Sequence, residues 1–374
     1  MLLTITNAPR DYAWGSTTLL AELEGRAPSG LPEAEVWFGD HAGDPADVAG
    51  GGTLDAITGG TLPYLLKLLA AADPLSIQVH PTREQAQQGF ARERGMDADD
   101  PTRNYRDENH KPELIVALSD RFEALAGLRP VAETLELLSA LPDAPGVVAL
   151  RDRLTGGADA EVLRRTIAWL LSGGSGDAVD EIVAALPTAR PGRFDGAVAA
   201  VRAIAERCPG DPGAVVALLM NFVVLRRGEA IFLRAGMLHA YLAGLGVEIM
   251  AASDNVLRGG LTRKHLDVAE LLAIVDTAPG AVPVQPAGGA VRGYDIPVSD
   301  FALRRIEVAG ERTVSVSVSG PAMALATAGE VTVSGADGEP VDVRVGTAVF
   351  ATADEISLVL RGSGEIFLAE PGRA

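Results

Sequence analysis

The sequence predicts a mainly β protein in which one β-barrel is interrupted by a helical insertion and followed by a second β-barrel. Two observations lead to this fold class. Short apolar runs separated by Gly, Pro and Asp turns occupy both ends of the chain, and about 90 residues between them have apolar positions at helical spacing. The predicted units are a first β domain of residues 1–129 plus 221–286, a helical domain of residues 130–220 and a C-terminal β domain of residues 287–374.

The first β domain is predicted from three short apolar runs near the N-terminus, "EAEVWFG", "SIQVH" and "PELIVAL". Gly, Pro and Asp residues separate these runs, as expected for strands joined by turns. After the helical block, "GEAIFLRAGMLHAYL" and "GLGVEIMA" return to strand character. Because the two groups of strands flank the block, we expect them to form one domain.

Five segments of the central block place apolar residues at helical spacing and stop at Gly or Pro. Asp211 and Pro212 form a suitable N-cap and first-turn pair for the last of them. The five segments are "VAETLELLSAL", "AEVLRRTIAWLLSG", "AVDEIVAALP", "FDGAVAAVRAIAERC" and "PGAVVALLMNFVVL".

The C-terminal domain is predicted to be β again. Val314, Val316 and Val318 alternate with serines, and "TAVFATADEISLVLRGSGEIFLA" contains short apolar runs divided by turns. All five histidines precede residue 266, so this domain offers no imidazole to a metal. We therefore expect the chemistry in the first β domain.

Composition and charge restrict the possible partners. The chain has 374 residues, a net charge of -18 and a pI near 4.7, which argues against binding to nucleic acid or to an anionic membrane. Its single cysteine, Cys208, excludes an internal disulfide and a thiolate-rich metal site. No apolar run approaches the ~20 residues of a membrane span and the N-terminus lacks signal-peptide character, so we expect a soluble, cytoplasmic protein.

Lysine is rare in this chain. Of 32 basic residues only three are lysines, namely Lys67, Lys111 and Lys264. A lysine ammonium is more compact than a guanidinium and its stem is more flexible, so the two are not interchangeable. Chance explains any one of these lysines, but all three lie in the segments that carry the candidate site residues.

The run "SIQVHP" places Ser76, Gln78 and His80 on one face of a predicted strand, and Ile77 and Val79 on the other. The polar face carries an amide and an imidazole, which are not typical solubilising groups. The alpha carbons of Gln78 and His80 would lie ~7 Å apart, close enough for both side chains to bind one ion.

Two further segments carry groups of similar chemistry. "NYRDENHKPEL" contains His110, Lys111 and Glu113, and "GMLHAYLAG" places His239 in an apolar strand. Each residue alone has an ordinary explanation, as a hydrogen-bonded core histidine or as part of a surface charge pair. It is their conjunction that indicates a metal site.

The segment "GEAIFLRAGMLH" resembles the second motif of the cupin fold, a jelly-roll barrel, with Arg234 at the usual proline position. A wider resemblance, between residues 12 and 265, is to the type I mannose-6-phosphate isomerase family. Arg263 and Leu238 stand where relatives often have proline. The resemblance implies a catalytic cupin barrel, an inserted helical domain and a second, cupin-like barrel. The runs that carry it are "YAWGS", "EVWFGDH", "LLKLLAAADPLSIQVHP", "YRDENHKPEL", "FEALAGLRP" and "HAYLAGLGVEIMAASDNVLRGGLTRKH".

This resemblance also implies site residues. One zinc ion per chain would be bound by Gln78, His80, Glu113 and His239, and Arg258 would be the catalytic arginine. Ligand chemistry alone does not exclude Mn or Fe, so zinc rests on the resemblance.

An aldose–ketose isomerase needs a base, a cation beside the developing oxyanion and a phosphate anchor. Arg258 suits the second role. The base stays open among His110, Lys111 and Asp254, and Asp254 could instead orient Arg258 or cap a turn. The candidates for binding the sugar phosphate are Ser76, Lys67, Lys264 and Trp14, and Lys111 is a further candidate cation. Tyr12 and Tyr241 are further candidates for the walls that face the sugar, whereas Trp37 is expected in the core.

The implied activity is the interconversion of D-mannose 6-phosphate and D-fructose 6-phosphate, by a monomer that serves mannose metabolism and GDP-mannose biosynthesis. Two other classes are considered. A non-catalytic sugar-phosphate sensor is disfavoured because Arg258, Asp254 and Lys111 are all present. A redox cupin that uses iron and oxygen would prefer more imidazole than two histidines.

Overall fold

The computed structural model describes residues 1–310, 313–335 and 339–373. This part of the chain is mainly antiparallel β structure, with helices between the strands. The strands are β1 Leu2–Thr6, β2 Glu35–Phe38, β3 Asp47–Val48, β4 Tyr64–Ala71, β5 Gln78–Val79, β6 Glu113–Ala117, β7 Phe122–Leu128, β8 Met220–Leu225, β9 Ala230–Leu233, β10 His239–Ala251, β11 Leu257–Arg258, β12 Val291–Gly293, β13 Ala302–Val308, β14 Val314–Ser317, β15 Ala322–Ser334, β16 Val341–Val343, β17 Ala348–Ala351 and β18 Ser357–Glu370. The helices are α1 Leu19–Glu24, α2 Asp55–Thr58, α3 Arg83–Glu93, α4 Val131–Ser139, α5 Pro145–Arg153, α6 Asp159–Leu171, α7 Gly176–Ala185, α8 Asp195–Arg207, α9 Gly213–Leu218 and α10 Val268–Ile274.

One nine-stranded sheet, which we call the site sheet, is organised around the long strand β10. Four strands hydrogen-bond directly to β10, namely β4, β5, β6 and β7. The remaining members extend these, with β2 on β4, β11 on β5, β9 on β6 and β8 on β7. Because one strand borders four others, segments far apart in the sequence meet along it.

The second nine-stranded sheet, the C-terminal sheet, has the path β12-β13-β18-β15-β17-β1-β3, with β14 on β18 and β16 on β15. It includes two strands from the N-terminus, and Leu3 of β1 lies opposite Phe350 of β17. The predicted division into three units, which assigned residues 2–6 to the first β domain, therefore stays a prediction. The described strand pairs of neither sheet close into a ring, so the jelly-roll barrels also stay a prediction.

Helices α4 to α9 occupy residues 131–218, within the predicted helical block. The prediction was wrong for its last segment, because Met220–Leu225 forms strand β8 instead of continuing the helix. Phe222, Val223 and Val224 favour a strand, and Leu225 lies opposite Phe122 of β7. Helix α3 was not predicted from the sequence; its N-cap Thr82 forms a reciprocal capping box with Gln85.

The helical block supports the strand that carries "SIQVH". Ile77 and Val79 are fully buried and belong to one apolar core with Leu257 and the inner faces of α6 and α8. Since successive side chains of a strand point to opposite faces, Ser76 and Gln78 are directed away from the helices. The predicted alternation of this run is confirmed.

Among the described residues, no helix combines the length and the apolar character that crossing a membrane would require.

Candidate active site

Strand register brings three of the predicted site residues side by side. Gln78 of β5 lies opposite His239 of β10 on one side and opposite Arg258 of β11 on the other. Directly opposed residues of antiparallel strands share one face of the sheet. The three side chains therefore lie on the same face, although their segments are far apart in the sequence.

His80, Glu113 and His239 form a buried cluster. Their potential ligand atoms all lie within 4.8 Å of one another. The Nε2 atom of His80 is 3.1 Å from Glu113 Oε1, and His239 Nε2 is 3.4 Å from Glu113 Oε2. Gln78 is half-buried beside them, and its amide nitrogen donates to the Ser76 hydroxyl at 3.3 Å, which leaves the amide oxygen for a metal.

The hydrogen bonds of the two imidazoles show that this cluster suits a cation. His80 Nδ1 is 2.7 Å from the Asn255 carbonyl oxygen, and His239 Nδ1 is 3.0 Å from the Met237 carbonyl oxygen. A carbonyl oxygen only accepts, so Nδ1 carries the proton and Nε2 presents its lone pair to Glu113. Burial lowers the pKa of His80 to about 4, which keeps the ring neutral.

The consequence is a group of electron-rich atoms that face each other without protons between them. His80 Nε2 is buried and lacks a hydrogen-bond partner among the described residues. Burial alone would raise the pKa of Glu113, but the charge of the Lys111 ammonium holds it well below its ordinary value. A lone pair 3.1 Å from a carboxylate oxygen is stable only when a cation lies between them. Neutral imidazoles with a carboxylate and an amide oxygen match the nitrogen and oxygen donors that zinc accepts.

Asn255, which the sequence analysis did not single out, fixes this arrangement. It is fully buried, and its side-chain oxygen accepts from the backbone N–H of Arg106 at 2.7 Å. Its amide nitrogen donates to the carbonyl oxygens of Asp107 and Asn109 at 2.9 and 2.8 Å. The same residue that orients His80 thus ties the loop before Glu113 to the loop before Arg258.

The cluster opens into a cavity of about 410 Å³. All three lysines of the chain, Lys67, Lys111 and Lys264, line it. Aromatic side chains form part of the wall, as predicted for Tyr12, Trp14 and Tyr241, whereas Trp37 is buried outside the lining. Other lining residues include Ser76, Gln78, Glu113, His239 and Arg258, together with three that the sequence analysis missed, Glu35, Glu248 and Thr262.

Lys67 is the centre of a buried charge network. Its Nζ atom is 3.6 Å from Glu35 Oε1 and 3.3 Å from Glu248 Oε2, and it lies over the Trp37 ring. Burial opposes its charge, but Glu35 and Glu248 outweigh this effect and raise the pKa of Lys67. Burial also raises the pKa of Glu248. The ammonium of Lys67 is therefore already matched by two carboxylates.

We expect Lys67→Met to lower the free energy of unfolding by about 3–5 kcal/mol, because it leaves two carboxylates buried without their partner. Denaturant unfolding of the metal-free protein measures this loss. Lys264→Met is the matched control, since Lys264 is exposed and its substitution should change stability by no more than about 0.5 kcal/mol. Equal stability of the two variants would contradict a structural role for Lys67.

Arg258 and Lys264 are the cavity cations without an acidic partner. Within the described ranges, neither forms a salt bridge with a carboxylate. Burial, followed by the charge of Arg106, lowers the pKa of Arg258. Lys264 is exposed as a residue, but partial desolvation of its ammonium, followed by the charge of Arg258, lowers its pKa. Their uncompensated charge is available to an anion that enters the cavity.

Two predicted catalytic residues lie outside the cavity lining. His110 Nε2 is 2.9 Å from Asp300 Oδ2, and Arg83 also contacts Asp300 at 2.9 Å. Asp254 Oδ2 is 3.0 Å from His41 Nε2, and this hydrogen bond lowers the pKa of Asp254. Both residues thus have partners that the sequence did not reveal. Asp300, the partner of His110, lies just before strand β13 of the C-terminal sheet.

Comparison with known proteins agrees with this geometry. Residues 52–131 match the family described as phosphomannose isomerase type I, catalytic domain. The chain is 36% identical to the mannose-6-phosphate isomerase of Salmonella typhimurium over 388 residues, covering 97% of each chain. It is 32% identical to mannose-6-phosphate isomerase 1 of Arabidopsis thaliana, covering 97% of this chain and 92% of the relative.

Solved structures give the same relationship. A mannose 6-phosphate isomerase bound with zinc and yttrium superimposes with a TM-score of 0.88 at 34% identity, over 100% of both chains. A zinc-bound mannose 6-phosphate isomerase superimposes with a TM-score of 0.87 at 33% identity, again over 100% of both chains.

Proposed function

Because this chain belongs to the mannose-6-phosphate isomerase family, we propose that it interconverts D-mannose 6-phosphate and D-fructose 6-phosphate with one zinc ion per chain. The observation that carries this proposal is the buried cluster of His80, Glu113 and His239, of which Glu113 and His239 line the same cavity as Arg258. Zinc is preferred to other divalent metals because related structures contain it.

Gln78, His80, Glu113 and His239 would hold the metal. Two neutral imidazoles, a neutral amide and one carboxylate leave a divalent ion with a net positive charge. When bound, the ion would act as a Lewis acid toward the oxygens of the sugar. Asn255 and the Met237 carbonyl keep the two rings in the tautomer that can bind it.

Arg258 is proposed to stabilise the enediolate. Arg258 lies opposite Gln78 in the strand register and lines the same cavity as Glu113 and His239, and it is not paired with a carboxylate among the described residues. A fixed cation in a partly buried cavity interacts more strongly with a developing oxyanion than it would in water. Its planar fork also offers donors to both oxygens of an enediolate.

Lys264, Ser76 and Thr262 are proposed to bind the phosphate. They line the cavity, and Lys264 lacks an acidic partner within the described residues. A dianion that approaches a protein of net charge -18 needs such local cations. Lys67 is less suited to this role than the sequence indicated, because Glu35 and Glu248 already match its charge.

Two cavity residues are proposed as carriers of the proton between C1 and C2. Lys111 lies 3.2 Å from Glu113, and Glu248 is a buried carboxyl group whose pKa is raised. His110 and Asp254 are less suited, since they are engaged with Asp300 and His41. Incorporation of deuterium from solvent at C2 by the Lys111→Met and Glu248→Gln variants distinguishes the two. The variant that lacks the true carrier should lose exchange and turnover together.

The proposed function is tested by assaying mannose 6-phosphate before and after removal of metal by a chelator. We expect isomerisation to disappear and to return when zinc is added. Turnover that persists in protein proven free of metal would contradict the proposal. Tight binding without turnover would instead support the sensor, and consumption of oxygen would support the redox cupin.

We also propose that the two β regions are cupin-like jelly-roll barrels and that the chain acts as a cytoplasmic monomer in mannose metabolism. The cupin-like motif of residues 228–239 and the two nine-stranded antiparallel sheets support the barrels. The acidic net charge supports the expectation that neither nucleic acid nor a membrane is a partner. Gel filtration with light scattering tests the oligomeric state.

A further inference from the structure

We propose that Asp211, at the end of the helical insertion, is a positioning residue for binding the phosphate. It would act through the phosphate loop, which we define as residues 259–264. This inference rests on the proposed function, because it assumes that Lys264 and Thr262 bind the phosphate of the substrate. No described residue of the helical insertion lines the cavity. Through Asp211 the insertion would nevertheless take part in the reaction, because this residue contacts the phosphate loop.

The backbone of the phosphate loop is strained. Leu261 has a φ of 58°, and it is the single non-glycine residue with positive φ among those that the structure describes. Leucine enters this left-handed region only at an energetic cost, so the surrounding structure must impose it. Gly260, with a φ of 130°, has a backbone conformation that L-residues rarely adopt. Gly260 and Leu261 thus have backbone conformations that the loop would not adopt without contacts from the surrounding structure.

Asp211 holds this shape from the helical side. Its Oδ2 atom accepts from the backbone N–H of Thr262 at 3.2 Å, and its Oδ1 atom accepts from Gly213 N–H at 2.7 Å. One carboxylate therefore joins the first turn of α9 to the loop residue that follows Leu261. Hydrogen bonds to a charged acceptor are stronger than those between neutral groups.

Close backbone contact adds to this connection. A Cβ atom on Gly260 would lie 2.5 Å from the Gly213 alpha carbon, and one on Gly213 would lie 2.9 Å from the Gly260 alpha carbon. On its other side, the loop bonds to the strand of the metal ligands, since Gly259 N–H donates to Ile77 O at 2.8 Å. The loop is thus held between the helical insertion and the segment that leads into Gln78.

The residues that the loop presents to the cavity are those expected to contact phosphate. Leu261, Thr262 and Lys264 line the cavity, and the Thr262 hydroxyl accepts from Lys264 N–H at 3.0 Å. Moving the Thr262 backbone would therefore move the start of Lys264 as well. In the described part of the chain, Asp211 forms no hydrogen bond or ion pair with the metal cluster, so we expect the geometry of that cluster to be independent of this residue.

The test is Asp211→Asn, which keeps the shape of the side chain but can accept only one of the two hydrogen bonds, and does so through a neutral and therefore weaker acceptor. We expect KM for mannose 6-phosphate and the inhibition constant of inorganic phosphate to rise by about tenfold, with kcat within about twofold and zinc content unchanged. Gly260→Ala, which displaces the loop by steric contact, should show the same pattern. Asp159→Asn, an exposed aspartate in the first turn of α6, is the matched control and should match the wild type.

A merely structural role would reduce the active fraction and the melting temperature, and would leave KM and the inhibition constant unchanged. That result in a folded Asp211→Asn protein, or unchanged constants in Gly260→Ala, would overturn the inference. A failure of the proposed function would appear elsewhere, as a wild-type protein that does not turn over mannose 6-phosphate. Calorimetric binding of inorganic phosphate to the wild type and the Asp211→Asn variant tests the inference without turnover.

Discussion

Arg258→Ala is expected to lower kcat by about 10²–10³-fold, which is the usual cost of losing one group that stabilises an oxyanion. Arg258 lies opposite Gln78 in the strand register but is not one of the proposed metal ligands. Zinc content and the far-ultraviolet circular dichroism spectrum should therefore stay at wild-type values. Steady-state kinetics of mannose 6-phosphate isomerisation, combined with metal analysis, measures both expectations.

The matched control for this prediction is Arg202→Ala, because Arg202 is an exposed arginine on α8. It should leave kcat unchanged. If Arg258→Ala turned over substrate at the wild-type rate, the stabilising role assigned to Arg258 would be wrong. A loss of zinc together with activity would instead place Arg258 among the residues that maintain the metal site.

Glu113→Gln is expected to abolish both zinc binding and turnover. Glu113 is the only carboxylate of the described His–Glu–His cluster, and both imidazole Nε2 atoms face it. Removing a residue that merely orients a ligand typically lowers metal affinity by about 10- to 100-fold, so the loss of a ligand should exceed this. Metal analysis after dialysis, with an assay at saturating substrate, provides the measurement.

Glu108→Gln is the control, since Glu108 is an exposed carboxylate in the same segment. We expect this variant to keep its zinc and its activity. Circular dichroism must show that Glu113→Gln is folded, because burial of an unpaired Lys111 also costs stability. A folded Glu113→Gln protein with full zinc content would remove Glu113 from the metal site.

The sequence was most informative where chemistry follows from local spacing. The alternation of residues 76–80 predicts that Ile77 and Val79 face the core, and both are fully buried. On the opposite face, Ser76 and Gln78 line the cavity. The resemblance to the isomerase family then indicated that His80, Glu113 and His239 bind one metal ion. The structure brings the three together.

Pairings that depend on tertiary register could not be predicted from local patterns. Lys67 lies opposite Glu248 across β4 and β10, a relation that exists only once the sheet has formed. The sequence therefore indicated a free lysine for phosphate, where the structure has an ion pair with two carboxylates. For the same reason the partners of His110 and Asp254 were not foreseen.

The backbone conformation of Leu261 and the pairing of β1 could not be predicted from the sequence either. Leu261 is an ordinary apolar residue in sequence, and its positive φ occurs where its loop approaches Gly213 and Asp211 of another segment. The position of β1 in the C-terminal sheet follows from pairing with β17 near the opposite end of the chain. Neither leaves a periodic or compositional signal.

The most direct test is a crystal structure of a fully active preparation, with anomalous diffraction measured across the zinc absorption edge. We predict one zinc peak per chain, about 2.0–2.2 Å from ligand atoms of Gln78, His80, Glu113 and His239. An active crystal with no zinc among these four side chains, or with its zinc bound elsewhere, would contradict the account.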